Sequence, residues 1–166
     1  MAPSNATELT VLGQSLQNLY TQYAQNNFVV NRRYQRKLVW GVEEKQALID
    51  SIRSNLPIPL VLLAENSIKN LPQLEIIDGL QRLNSIFSFI ENEFPYNGKY
   101  FDLDTLADTK LRRDEGDFIQ REPLLDRKTC VDIVNYQLPV STYRSATEDS
   151  VDEVFRRINS SGRKLS

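Results

Sequence analysis

Leu74-Glu75-Ile76-Ile77-Asp78-Gly79-Leu80-Gln81-Arg82-Leu83 is the stretch on which the fold turns. Leu74 to Ile77 have strand character and run into an Asp-Gly pair. Beyond that pair Leu83, Ile86, Phe87, Ile90 and Phe94 recur at three- and four-residue steps, the period of a helix that buries one face. The spacing predicts a strand, an Asp-Gly turn and a helix that Pro95 stops. Such a junction aims unpaired backbone N–H groups and the positive end of a helix dipole at one point, so phosphate is its natural ligand. Gly79 would let a ligand approach the backbone, Arg82 would offer a guanidinium fork and Gln81 an orienting amide. Asp78 has two readings: a helix N-cap accepting from the N–H of Gln81, which is the commoner role, or a catalytic or metal-positioning carboxylate. Arg82 likewise reads as a solvated surface arginine or as a phosphate ligand.

Working outward, Leu60 to Leu63 is an apolar run between prolines and Glu65-Asn66-Ser67, the pattern of a buried strand. Glu43 to Ser54 reads as a helix with Ala47, Leu48, Ile49 and Ile52 apolar, Glu43 and Glu44 in its first turn, and Pro57-Ile58-Pro59 beyond its end. Phe28-Val29-Val30 is a short strand, and Leu9, Leu12, Leu16, Leu19, Tyr20 and Tyr23 predict a helix from Glu8 to Asn26. Downstream, 95–125 reads as loops and short helices, followed by a helix from Asp126 to Asn135. Gln137 to Tyr143 alternates as a strand, placed at a sheet edge by Pro139. A last helix starts at Thr147 to Ser150 and carries Val151, Val154, Phe155 and Ile158, with Ser150 and Glu153 in capping-box spacing. The expectation is one α+β domain over residues 1–166 with a small mixed sheet packed with helices. It has a helical N-terminal segment (8–26), a motif-bearing core (28–94 and 137–166) and a loop-rich insertion (95–135). Ser160 to Leu165 looks like a connection onward, as in a fragment of a longer protein.

Composition narrows the chemistry. The 166 residues include no histidine, so triads that activate Ser or Cys through imidazole, HNH-type nuclease sites and most zinc sites are excluded within this chain. Cys130 stands alone, which rules out a disulfide framework and suits a reducing, cytoplasmic setting. No stretch has the length to span a bilayer, and residues 1–26 lack the basic and apolar regions of a secretory leader. Twenty Lys and Arg against 22 Asp and Glu give a net charge of −2, which argues against a nucleic-acid coating protein.

Charge is nonetheless clustered. Arg32-Arg33-Tyr34-Gln35-Arg36-Lys37 leads to Trp40 and reads either as a phosphate- and base-binding stretch or as a solvated loop with Tyr34 and Trp40 as core anchors. In Phe155-Arg156-Arg157-Ile158-Asn159 the apolar residues are core by period, and the polar ones fit the outer face of an amphipathic helix.

Five motifs in order resemble one family. Tyr34-Gln35-Arg36 with Val39-Trp40, Ser51-Ile52, Pro57-Ile58-Pro59, Ile77 to Leu83, and Phe155 to Asn159 with Gly162 and Leu165-Ser166 are similar to the GmrSD-type restriction-system N-terminal domain, known also as domain of unknown function 262. That family is assigned to the ParB/sulfiredoxin-like superfold. The resemblance implies a nucleoside-triphosphate-binding, often hydrolysing, module of bacterial anti-phage proteins. Asp78, Gly79, Gln81 and Arg82 fall on the family's Asp-Gly-Gln-Gln-Arg signature, and Tyr34, Gln35 and Arg36 on its Tyr-Gln-Arg. Both motifs are implied to line the nucleotide site, with Asn159 beside them, and to bind a triphosphate with Mg²⁺. Leu80 stands where the signature has Gln, which bears on hydrolysis more than on binding. An HNH-like effector would lie beyond Ser166 or on another chain.

Three functions follow as expectations. The first is a nucleotide-binding switch in which Asp78 positions water or Mg²⁺, Gln81 orients, and Arg82 with Arg36 neutralises phosphate. The second is a DNA- or protein-binding module without catalysis, in which the Asp78-Gly79 turn is purely structural. A metal nuclease built on Glu75 and Asp78 is set aside, because positions three apart on a regular strand face opposite ways.

Overall fold

In the computed structural model the described residues are 8–30, 38–68, 71–144 and 156–157. They form β1 (Glu8–Ser15), α1 (Leu16–Ala24), β2 (Phe28–Val29), α2 (Val42–Arg53), β3 (Val61–Ile68), β4 (Leu71–Asp78), α3 (Leu80–Ile90), α4 (Ala107–Asp114), α5 (Arg127–Val134) and β5 (Gln137–Arg144), with a 3-10 turn at Leu103–Thr105. The sheet order is β1-β5-β3-β4-β2. Neighbours alternate in sense: β1 and β5 are antiparallel, β5 and β3 parallel, β3 and β4 antiparallel, β4 and β2 parallel. The α+β class with a small mixed sheet is therefore as expected. No helix of the described residues is long and apolar enough to cross a membrane.

At the centre lies α3, in which every residue from Leu83 to Ile90 except Asn84 is buried. A helix apolar on nearly all sides must be enclosed on nearly all sides. Val61, Leu63, Leu74 and Ile76 of the sheet, Leu48, Ile49 and Ile52 of α2, Leu16 and Tyr20 of α1, and Phe101, Leu103 and Ile133 join it in one core. The 95–126 segment is held on this core by a buried amide network. Asn92 Nδ2 donates to Phe101 O at 2.8 Å, while its Oδ1 accepts from Gln120 Nε2 and from the Arg121 N–H.

Four expectations are corrected. The helix from Glu8 is instead β1 followed by α1. Thr10, Val11 and Gly13 sit in a strand paired with β5 along its whole length, and Ser15 opens the helix by accepting the Asn18 N–H at 3.0 Å. In β3 the polar Glu65-Asn66-Ser67 does not end the strand but pairs with Leu74, Gln73 and Pro72 of β4. Pro95 does not stop α3; Asn92, at φ +71°, does so three residues earlier, with the Glu93 N–H turned back to Ser88 O at 2.9 Å. Finally, β5 lies inside the sheet. Pro139 is tolerated there because the ladder with β3 begins only at Val140. The expected last helix falls outside the described residues, apart from Arg156 and Arg157, which are helical and exposed.

Candidate functional site

β4 delivers the chain to Asp78, and Gly79 turns it into α3 with φ +106°. L residues rarely adopt that conformation. A Cβ on Gly79 would lie 2.8 Å from Val61 Cγ2 and 3.3 Å from Arg82 Nη2. Gly79 is thus required by the turn and by the close approach of β3. The space a side chain would need here is filled by Val61 and Arg82.

Arg82 is not a surface arginine. It is 7% exposed, donates from Nη2 to Leu60 O at 2.9 Å, and holds the same nitrogen 3.9 Å from Asp78 Oδ2. Burial pushes its pKa below the usual arginine value, and the Asp78 carboxylate pushes it back up. Gln81 is buried too, and its Oε1 accepts the backbone N–H of Trp40 at 3.4 Å. The amide expected to orient a ligand thereby ties α3 to the chain following the basic cluster. Leu80 packs against the core.

Asp78 is not the cap of α3. Gly79 holds that position without a side-chain cap bond, and Asp78 Oδ1 is shielded from solvent with no hydrogen-bond partner among the described residues. The commoner of its two readings is overturned. A second correction concerns Glu75. Leu63 pairs with Ile76 and Leu62 with Asp78, so Ile77 is an extra residue on β4. Glu75 pairs with Ala64, two residues from Leu62 on β3, and cross-strand partners share a face. Glu75 and Asp78 therefore lie on the same face of the sheet, and the alternation argument that separated them fails. No group of three or more His, Cys, Asp or Glu suited to a metal occurs among the described residues.

Tyr34, Gln35, Arg36 and Asn159 lie outside the described residues, as do Arg32, Arg33 and Lys37. The described chain on either side of the basic cluster is anchored beside the junction. Val29 pairs with Glu75 in parallel sense, and Trp40 bonds Gln81. Sequence reasoning did not find the Leu60 carbonyl or the shared face of Glu75 and Asp78, because neither a backbone acceptor nor a bulge carries a residue signature. A cavity of about 510 Å³ between the end of α2 and the α5–β5 connection, lined by Arg53, Leu56, Asp132 and Tyr136 among others, shares no residue with this junction.

These features define a class: a mixed α+β domain whose charged groups gather where a strand passes through glycine into a buried helix. The family description "GmrSD restriction endonuclease, N-terminal domain" matches residues 16–166, and the chain belongs to that family. Comparison with curated proteins and with solved structures gives no match.

Proposed function

We propose that this domain binds a nucleoside triphosphate with Mg²⁺ at the Asp78–Arg82 junction and serves as the sensor or regulatory domain of a bacterial restriction-type, anti-phage protein. Its scaffold is read as ParB/sulfiredoxin-like, and its effector is a C-terminal or separate domain. The observation that carries the reading is the junction itself. The N-terminus of α3 opens through Gly79, with a buried arginine in its first turn and beside it a carboxylate whose Oδ1 has no donor among the described residues. A carboxylate oxygen without a donor among the described residues is suited to ligating a cation directly, and Glu75 on the same face adds a second carboxylate. The N-terminal N–H groups of α3 and the Arg82 charge favour phosphate. Mg²⁺, when bound with the nucleotide, would supply charge neutralisation between the carboxylates and the phosphates. Tyr34, Gln35, Arg36 and Asn159 belong to the proposal as the further nucleotide ligands that the family resemblance implies.

Leu80, half-buried and packed against the core, offers no amide to a water, which favours binding and switching over fast hydrolysis. The domain is an NTPase only if phosphate release accompanies binding. The second reading, a DNA- or protein-binding module, draws on the exposed Arg156 and Arg157.

Calorimetric titration with ATP, GTP, CTP and UTP in Mg²⁺, alongside phosphate release, tests the proposal. Arg82→Ala is a poor probe, since it strips a buried donor from Leu60 O. Asp78→Asn keeps the shape and removes the charge. Saturable binding by one triphosphate, with its Mg²⁺ dependence lost in Asp78→Asn, supports the proposal. A folded domain that binds none of the four refutes it and leaves the DNA- or protein-binding module.

A further inference from the structure

We propose that the outer edge of β1 is a self-association surface, on which a second copy of this chain adds its own β1 antiparallel across a two-fold axis at Val11. β1 is a terminal strand of the sheet, with β5 on one side and no described strand on the other. It lies outside residues 16–166, the stretch that carries the family resemblance.

The direction of each backbone group in β1 follows from its register. The Leu16 N–H donates to Tyr136 O at 3.1 Å, and the β1–β5 pairs continue in step from Ser15 opposite Gln137 to Glu8 opposite Arg144. Hydrogen-bonded and non-bonded pairs alternate along an antiparallel ladder, so even-numbered residues of β1 address β5 and odd-numbered ones face away. Pro139, which has no N–H, stands opposite the odd-numbered Gly13, as this alternation requires. Leu9, Val11 and Gly13 therefore turn their N–H and C=O groups outward. One two-fold register uses all of them: Val11 opposite Val11 of the second copy, and Leu9 opposite its Gly13.

The side chains suit the same register. Leu9, Val11 and Leu12 are 61%, 57% and 59% exposed, and so leave both faces of the strand bare. β1 holds no Lys, Arg or Pro, the residues that ordinarily guard an edge. Across the axis Leu9 covers a glycine, Val11 meets its copy, and Leu12 meets Thr10. In this register position 8, which holds the one charged residue of the strand, falls opposite position 14, a glutamine, so no two like-charged residues are paired. A strand that complements itself in hydrogen bonds, bulk and charge fits a second copy.

The test is the mass of the chain in solution across a dilution series, by sedimentation equilibrium. Wild type is expected to pass from monomer to dimer as concentration rises. Val11→Pro removes an outward N–H and leaves the β5 ladder whole; it is expected to weaken dimerisation on the order of a hundredfold while circular dichroism stays native. Val11→Lys, which sets two ammonium groups side by side at the axis, is expected to do the same and carries the test if the proline variant does not fold. Leu124→Lys, at an exposed residue in the connection before α5, should dimerise as wild type does. A wild-type chain that stays monomeric throughout overturns the proposal, as does a Val11→Lys chain that dimerises as wild type does.

Discussion

Gly79→Ala is the perturbation that bears most directly on how the junction is built. Two costs add. At φ +106° an alanine is held in sparsely populated backbone space, which costs about 1–3 kcal/mol. Its Cβ would also press to 2.8 Å from Cγ2 of Val61, a fully buried residue on a central strand that cannot swing clear. Overpacking of that kind costs about 1–3 kcal/mol more. Gly98, at φ +73° with nothing within 4 Å of its missing Cβ, is the internal control, and there the substitution should cost only about 1–2 kcal/mol. Urea unfolding followed by circular dichroism should show a drop in midpoint at an unchanged slope, larger for Gly79→Ala. By thermal melting the gap should be several degrees, since each kcal/mol is worth about 2–4 °C in a domain of this size. Placing Gly79→Ala in a Val61→Ala background should recover about 1 kcal/mol, because the two sites are in contact. Equal losses for Gly79→Ala and Gly98→Ala, or no coupling to Val61, would refute this account of the turn.

Arg82→Ala should destabilise by about 3 kcal/mol, leaving Leu60 O without its donor and Asp78 without its cation; a double variant with Asp78→Asn should lose less than the two single losses combined, as read by urea titration. Burial pushes the Glu91 carboxyl above its ordinary pKa of 4.5, against the opposing pull of the hydrogen bond it accepts from Tyr20 Oη. The native state then holds more protons than the unfolded one between 4.5 and the raised value, so stability should fall as pH rises through that window, and Glu91→Gln should flatten the slope. Burial likewise raises the Cys130 thiol, the one cysteine of the chain, so a thiol reagent should label it slowly in the native state and quickly in denaturant. Trp40 is the single tryptophan and is tied to the first turn of α3 through Gln81, so Gln81→Ala should shift its emission; an unchanged spectrum would show that the bond does not hold Trp40 in place.

Much of the fold was legible because apolar period and breakers act locally. The α3 stripe, the short β2, the α2 helix and the α5 helix all announce themselves in a few residues. What was not legible depends on partners distant in sequence. Leu9 and Leu12 continue the helical stripe of α1, yet β5, more than a hundred residues on, recruits their stretch as a strand, and only Ser15 marks where the helix truly starts. Pro139 suggests an edge, but the ladder that a proline would interrupt starts just after it. At the junction the residue types were legible and their partners within the fold were not. Asp78 faces Arg82 rather than the helix N-terminus, Gln81 holds Trp40, and Arg82 is turned to a carbonyl of the neighbouring strand. A bulge at Ile77 reverses strand parity, which no residue spacing could disclose.

The central claim is that the Asp78–Arg82 junction holds a nucleoside triphosphate, and isothermal calorimetry of the four triphosphates in Mg²⁺ tests it most directly. The account predicts saturable binding of at least one, weakened by on the order of tenfold or more in a natively folded Asp78→Asn variant through loss of the cation's carboxylate. Absence of heat for all four, or an affinity that Asp78→Asn leaves unchanged, would contradict it.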